Sequence, residues 1–226
     1  MRLGIVLPSY LYSPERKKLA ADTFYSLMKI EPLQLPTKLL LLVKQGHVQD
    51  YSGVVDGLSE KFGVILKTDE GLRGTEQTLA FGTQWLFENF GVDYVTWMGD
   101  DALFHSMWLW QLEGLVKRHP EAKSWSVYRS VFEWVHKTLD DSGEDVLARS
   151  ICGHGMTLSR KEWMEWGVDW KKVSSALDVD TLDLCHFWER PGERWVTKKS
   201  YVQHTGKVGV HCTKETPEYA RDFQAA

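Results

Sequence analysis

Two adjacent carboxylates, Asp100 and Asp101, close the apolar run in "YVTWMGDDALFH", residues 94–105. A pair of charges at the end of a buried strand is costly unless something positive sits against it. A strand-to-helix turn with Asp as the helix cap accounts for one of them. Both converging on one Mg²⁺ or Mn²⁺ accounts for the pair, because those cations take hard oxygen ligands and also bridge diphosphate oxygens. Two residues alone do not separate these readings. Three more carboxylates, Asp178, Asp180 and Asp183, lie in "LDVDTLDLCHFWER" and read by themselves as the polar face of a helix. His204 stands in "SYVQHTGKVGVH"; a lone histidine in a Gly-rich loop is more often a hydrogen-bonding residue than a ligand. Gly153-His154-Gly155 lets backbone approach a ligand closely, or is a plain bulge.

The elements that must position these groups alternate in the first half. "LGIVLPSY" is a short apolar strand ended by turn residues, and Ser13-Pro14 caps and opens the next helix. "TKLLLLVKQG" is a near-continuous apolar strand. "DYSGVVDGLSEKFG" reads as a helix, "VILKTDEG" as a strand, and "GTEQTLAFGTQWLFENFG" as a long helix. "VDYVTWMGDD" is the next strand, followed by a helix in "MWLWQLEGLVKRHP" that Pro120 stops. Such alternation predicts an α/β fold, a mainly parallel sheet flanked by helices. Ligands on such sheets bind at the carboxyl ends of the strands. Pro8-Ser9-Tyr10, Lys44-Gln45-Gly46, Asp69-Glu70-Gly71 and Gly99-Asp100-Asp101 all fall at such ends, so one crevice can collect them.

The second half is less regular. "KSWSVYRSVFEWVHKTL" reads as strands, "DDSGED" as an acidic turn, "ICGHGMTLSR" as a strand and "KEWMEWG" as a short helix. "LDVDTLDLCHFWER" reads as a helix, and "RWVTKKSYVQHTGKVGVHC" as a strand entering a Gly-rich loop. Trp163, Trp166 and Trp170 are spaced to share one helix face, for core packing first and an acceptor platform second.

Composition bounds the rest. The chain has 226 residues, 43% of them hydrophobic, and a formal net charge of −4. That suits one domain, 1–226. There is no basic excess of the kind that grips nucleic-acid phosphates. The longest apolar run, residues 39–43, is too short to span a bilayer, and the N-terminus lacks signal-peptide features. Cys152, Cys185 and Cys212 form no CxxC and read as reduced thiols, which points to a cytoplasmic protein.

Taken in order, these segments resemble the GT-A-fold glycosyltransferases, family 2 in particular. "GIVLPSYLYSPERKKLAADTFYSLMK" resembles that family's opening strand, Pro-Thr/Ser-Tyr and first helix. "DEGLRGTEQTLAFGTQWLFENFGVDYVTWMGDD" is similar to the block that ends in the family's Asp-x-Asp motif. "DVDTLDL" looks like its late acidic segment, and "SYVQHTGKVGVH" resembles the loop whose histidine completes the metal site. The resemblance covers roughly residues 3 to 211, and order and spacing carry it rather than any one motif. It implies a GT-A (Rossmann-like) fold with a smaller, mixed β segment on the acceptor side. Within that fold it implies a nucleotide-sugar-binding half over 1–120 and an acceptor-binding half over 121–226. It implies a hexosyl- or pentosyltransferase that moves a sugar from a nucleotide-diphosphate donor, such as a UDP-sugar, to a hydroxyl, with inversion and with Mn²⁺ or Mg²⁺.

The resemblance also implies residue roles. Pro8, Ser9 and Tyr10 would hold base and ribose, and Arg73 would approach the diphosphate or ribose. Asp100 would sit near the ribose or a metal-bound water, and Asp101 would ligate the metal. His204, with His211 as rival, would be a further metal ligand. Asp180, with Asp183 as rival, would be the general base. Gly153, His154 and Gly155 would contact the acceptor. Three positions depart from the family. The second strand ends in Val43-Lys44-Gln45-Gly46 rather than Asp-Asp-Gly-Ser, Gly99 replaces the first aspartate of Asp-x-Asp, and Val179 stands where Glu is usual. The nucleotide is therefore left open.

Other classes fit less well. Gly-Asp-Asp also resembles the catalytic hairpin of RNA-templated polymerases, but 226 residues with an acidic balance leave little room for a template channel. A nucleotidyltransferase would place a Gly-rich phosphate loop after the first strand, and "LPSYLYSPERKK" lacks the glycines. A catalytically silent GT-A module that binds nucleotide or glycan is the main alternative. The acceptor is open: a surface glycan, a small metabolite, a protein or, for a phage enzyme, a hydroxymethylated DNA base flipped into an aromatic pocket.

Overall fold

The computed structural model describes residues 1–34, 36–69, 71–72, 74–131, 137–151, 155–173, 191–206, 220 and 222–223. Its first half is the expected alternation. Strand β1 (Leu3–Ser9) leads to helix α1 (Pro14–Met28), then β2 (Lys38–Val43), α2 (Ser52–Ser59), β3 (Gly63–Thr68), α3 (Gly74–Phe90) and β4 (Tyr94–Trp97). β1 pairs in parallel with both β2 and β4, and β2 in parallel with β3. Residues facing alternate sides explain the unbroken apolar strands. Leu3, Ile5, Leu7, Leu39, Leu41 and Val43 join one core cluster with buried residues of α1. Val6, Leu40 and Leu42 join the other with residues of α3. Helix α3 comes so close to the sheet that a Cβ at Gly82 would lie 2.6 Å from a Val6 methyl carbon.

After β4 the chain forms a further strand, β5 (Ala102–Phe104), before α4 (Trp108–Arg118). The acidic pair therefore lies in a strand-to-strand turn and caps no helix; α4 begins after Met107 without a side-chain cap. The second half supplies β6 (Ser124–Ser126), β7 (Thr138–Asp140), β8 (Asp145–Ala148), β9 (Met156–Ser159), α5 (Arg160–Trp166), β10 (Arg194–Thr197) and β11 (Val202–His204). The large sheet runs β3-β2-β1-β4-β9-β6-β10-β8-β7, and β5 with β11 forms a separate two-stranded ribbon. β9 joins β4 and β6 antiparallel, so the parallel first half continues into a mixed second half. The segment read as one strand from Arg194 is two, β10 and β11, in different sheets.

Helix α5 ends at Gly167, which adopts φ 68°. Trp163 and Trp166 share that helix, whereas Trp170 lies beyond it in a short 3₁₀ turn (Trp170–Lys172). All three pack against the second core cluster. Trp163 meets Trp97 and Trp166 edge-on, and Trp170 meets Phe81 in the same way. Among the described residues, no helix is long and apolar enough to cross a membrane. The three cysteines and the segment 177–190 read as a helix lie outside the described residues.

Candidate active site

The four parallel strands end side by side, and their first residues beyond the sheet meet. Ser9 is the last residue of β1 and fully buried; its hydroxyl donates to Asp100 Oδ2 at 2.8 Å. The Tyr10 backbone N–H donates to the same oxygen at 3.0 Å. Tyr51 Oη, on the turn before α2, lies 3.0 Å from both the carbonyl oxygen and the hydroxyl of Ser9. Pro8 is buried within β1, opposite Leu42.

The positive group against the acidic pair is Arg16, in the first turn of α1. Its Nη1 donates to Asp101 Oδ2 at 2.8 Å, and its Nη2 donates to Asp100 Oδ1. Nothing in the linear sequence ties Arg16 to residues 84 and 85 positions away. One physical signal was available. A cation in the first turn of a helix opposes the helix dipole, so it calls for a nearby anion. The ion pairs are largely buried, with Arg16 and Asp101 side chains each 14% exposed. Removing one partner of a buried pair costs about 3–5 kcal/mol, since the other is left uncompensated.

His204 reaches the same carboxylate from the far end of the chain. β11 pairs antiparallel with β5 in a register that sets His204 opposite Ala102. Its Nε2 lies 3.3 Å from Asp101 Oδ2. Thr205 then clamps the turn: its N–H and hydroxyl both donate to the Asp101 carbonyl, at 2.7 and 2.9 Å. Gly206 follows, and a Cβ there would lie 2.5 Å from Asp101 Oδ2 and 2.9 Å from His204 Nε2. A side chain at 206 would therefore force one of these groups to shift.

Lys44 and Asp69, at the ends of β2 and β3, form a second charged pair. Lys44 Nζ lies 2.9 Å from Asp69 Oδ2, with Asp69 buried and Lys44 exposed. The Lys44 ammonium also sits 5.3 Å from the centre of the Tyr10 ring, in cation–π range. The Tyr10 hydroxyl meets Thr78 Oγ1 of α3 at 3.1 Å. Burial pushes the Tyr10 phenol up to about 12, so it remains a neutral hydroxyl at any ordinary pH.

Of the sequence-derived site residues, the structure gathers Ser9, Tyr10, Asp100, Asp101 and His204. Gly155 lies close by; its N–H donates to the Trp97 carbonyl at 2.8 Å, at the end of β4. Its φ of 73° suits a glycine, and a Cβ there would meet Ser126 and Tyr128 at 3.2 Å. Arg73, Gly153, His154, Asp180, Asp183 and His211 lie outside the described residues. Lys44 and Asp69, expected at strand ends in the crevice, turn out to pair with each other, and Arg16 is the residue at the acidic pair that the sequence reading did not single out.

Among the described residues, no group of three or more His, Cys, Asp or Glu side chains is arranged to hold a metal ion. Asp101 and His204 supply two donors, a carboxylate oxygen and an imidazole nitrogen, beside Gly206. Two protein donors fit a Mg²⁺ or Mn²⁺ that takes its remaining ligands from water and phosphate oxygens.

No protein-family model matches the chain, and no curated protein matches its sequence. Solved structures of S. aureus TarS, a GT-A-type glycosyltransferase, do match. TarS 1–349 in complex with UDP-GlcNAc gives a TM-score of 0.62 at 12% identity, covering 93% of this chain and 60% of that one. The same fragment in complex with UDP gives 0.59 at 11% identity, covering 89% and 60%. A longer TarS chain gives 0.61 at 11% identity, covering 92% and 37%. The chain thus spans about three fifths of the TarS 1–349 fragment. At such identity the likeness is one of fold: a mixed α/β architecture of the GT-A type.

Proposed function

We propose that the chain is a glycosyltransferase that moves a sugar from a nucleoside-diphosphate donor to a hydroxyl acceptor. The observation that carries this reading is the convergence of Tyr10, Asp100, Asp101 and His204 at the carboxyl ends of parallel strands. The fold is shared with a protein solved with UDP-GlcNAc and with UDP, which supports a uridine nucleotide as the donor's base. The base would lie against Tyr10 near the Lys44–Asp69 pair, whose ammonium and carboxylate would offer a donor and an acceptor to a pyrimidine edge.

Asp101 and His204 are the residues that would hold a divalent cation, Mn²⁺ or Mg²⁺. Bound there, it would neutralise charge on the departing diphosphate. Asp100 has a different role. With three donors on its carboxylate, it ties the end of β1 to α1 and fixes the floor of the site. In the transfer itself the acceptor oxygen bonds to the anomeric carbon as the bond from that carbon to the diphosphate oxygen breaks. The diphosphate leaves with the bonding pair. The acceptor proton goes to a carboxylate, assigned to Asp180 with Asp183 as the rival, and attack opposite the leaving group inverts the anomeric centre. Gly155, with Gly153 and His154, is assigned to the acceptor side.

A second reading has one specific observation in its favour. Arg16 already bridges the acidic pair and offsets one of its two charges, as it would in a silent module that binds without transferring. An assay of UDP release from UDP-sugars with Mn²⁺ separates the two. Asp101→Ala should lower turnover about 100-fold or more in an enzyme. Absence of turnover with every UDP-sugar, despite measurable UDP binding, would select the silent module.

A further inference from the structure

We infer that Arg16 is a built-in counterion that competes with the divalent cation for Asp101, so that cation binding requires the guanidinium to give up this carboxylate. The inference rests on the donor-site reading above, but concerns a residue that reading does not use.

Three features of the geometry carry it. First, Asp100 and Asp101 are not equivalent. Asp100 is buried, and both its oxygens are engaged, Oδ2 by Ser9 and Tyr10 and Oδ1 by Arg16. It anchors the arginine rather than offering itself as a ligand. Second, the Asp101 oxygen that faces His204 is the one that Arg16 Nη1 contacts at 2.8 Å. A cation held by Asp101 Oδ2 and His204 Nε2 would draw on the same carboxylate oxygen that this N–H now contacts. It would also sit within a few ångströms of a like charge, which both groups resist. Third, the arginine is held imperfectly. Its Nε is buried and has no hydrogen-bond partner, which costs free energy in the observed arrangement. Nη2 on Asp100 gives the side chain a pivot, so Nη1 can leave Asp101 without the whole residue leaving the site.

Charge arithmetic gives the reason for such a device. Without a cation, two adjacent carboxylates would repel each other in a half-dry turn, and Arg16 prevents that. With only Arg16 present, the trio Asp100, Asp101 and Arg16 still carries one net negative charge, which repels a diphosphate. A divalent cation reverses that sign. Arg16 therefore keeps the empty site folded while leaving the donor dependent on the cation.

The test uses the full chain and the metal alone. Mn²⁺ is titrated into wild type, Arg16→Gln and Asp101→Asn, with free Mn²⁺ read by electron paramagnetic resonance. Arg16→Gln should bind Mn²⁺ about tenfold more tightly than wild type, because a like charge has been removed. Asp101→Asn should bind weakly or not at all. Equal or weaker Mn²⁺ affinity in Arg16→Gln, or binding in neither protein, overturns the inference. Should Arg16→Gln fail to fold, the same question is put to wild type. Its ¹⁵N-labelled guanidinium signals, assigned with Arg16→Lys, should shift on addition of Mg²⁺; unshifted signals overturn the inference. UDP binding to wild type is measured separately. Loss of the Arg16 effect with UDP binding intact defeats this inference alone, and absence of UDP binding defeats the donor-site reading.

Discussion

At the residue scale, the site turns on one carboxylate oxygen. Asp101 Oδ2 is where Arg16, His204 and Gly206 meet. Gly206 gives a clean probe of that point. Gly206→Ala places a methyl carbon where real Cβ atoms are not found, so Asp101 or His204 must move. The substitution should leave the circular dichroism spectrum unchanged while weakening Mn²⁺-dependent UDP binding by about tenfold or more. Calorimetry showing wild-type affinity would mean that the donor does not use this corner. The sequence disclosed Asp101 because paired carboxylates at a strand end are unusual, and it disclosed His204 through its loop context. It set Lys44 and Asp69 at strand ends without showing that they pair, and it did not disclose Arg16. Arg16 looks like an ordinary surface charge until the strands are placed, and no local periodicity marks a partner that lies tens of residues away. Arg16 could have been suspected only from its unfavourable place in the first turn of α1.

At the element scale, helix α1 is the part that turns a fold into a site. Ser13 caps it: the hydroxyl accepts the backbone N–H of Arg16 at 3.2 Å, and Pro14 opens the first turn. The cap therefore fixes the residue that holds the acidic pair. Ser13→Ala should cost about 1 kcal/mol of folding stability in urea denaturation. It should also change Mn²⁺ affinity, since the first turn then holds Arg16 less firmly. Loss of stability with unchanged Mn²⁺ affinity would uncouple the helix end from the site. This cap was plain in the sequence, as were the strands β1 to β4, because apolar runs buried on both faces leave a strong pattern. The turn after β4 was not. Asp100-Asp101 followed by an apolar segment fits a helix cap as well as a turn into β5, and only the pairing of β5 with β11 decides. Trp170 was misplaced for a similar reason: Gly167 ends α5 before the spacing of three and four can be completed.

At the scale of the whole molecule, the parallel half of the sheet does the collecting. Four strands point the same way, so residues at their carboxyl ends share one rim although they come from four separate segments. The late ribbon of β5 and β11 then brings His204 across that rim. The molecule carries a formal net charge of −4, so attraction of a diphosphate to this rim must come from local cations rather than from overall charge. Donor binding should therefore depend on the divalent cation. The sharpest check is the melting temperature of the wild-type chain with UDP, with Mn²⁺, and with both, beside Asp101→Ala. A ligand that binds only the folded state raises the melting temperature. UDP and Mn²⁺ together should give a rise that exceeds the sum of the separate rises and is absent in Asp101→Ala. A folded wild type that shows no rise with UDP, with or without Mn²⁺, would contradict a cation-dependent donor site on this rim.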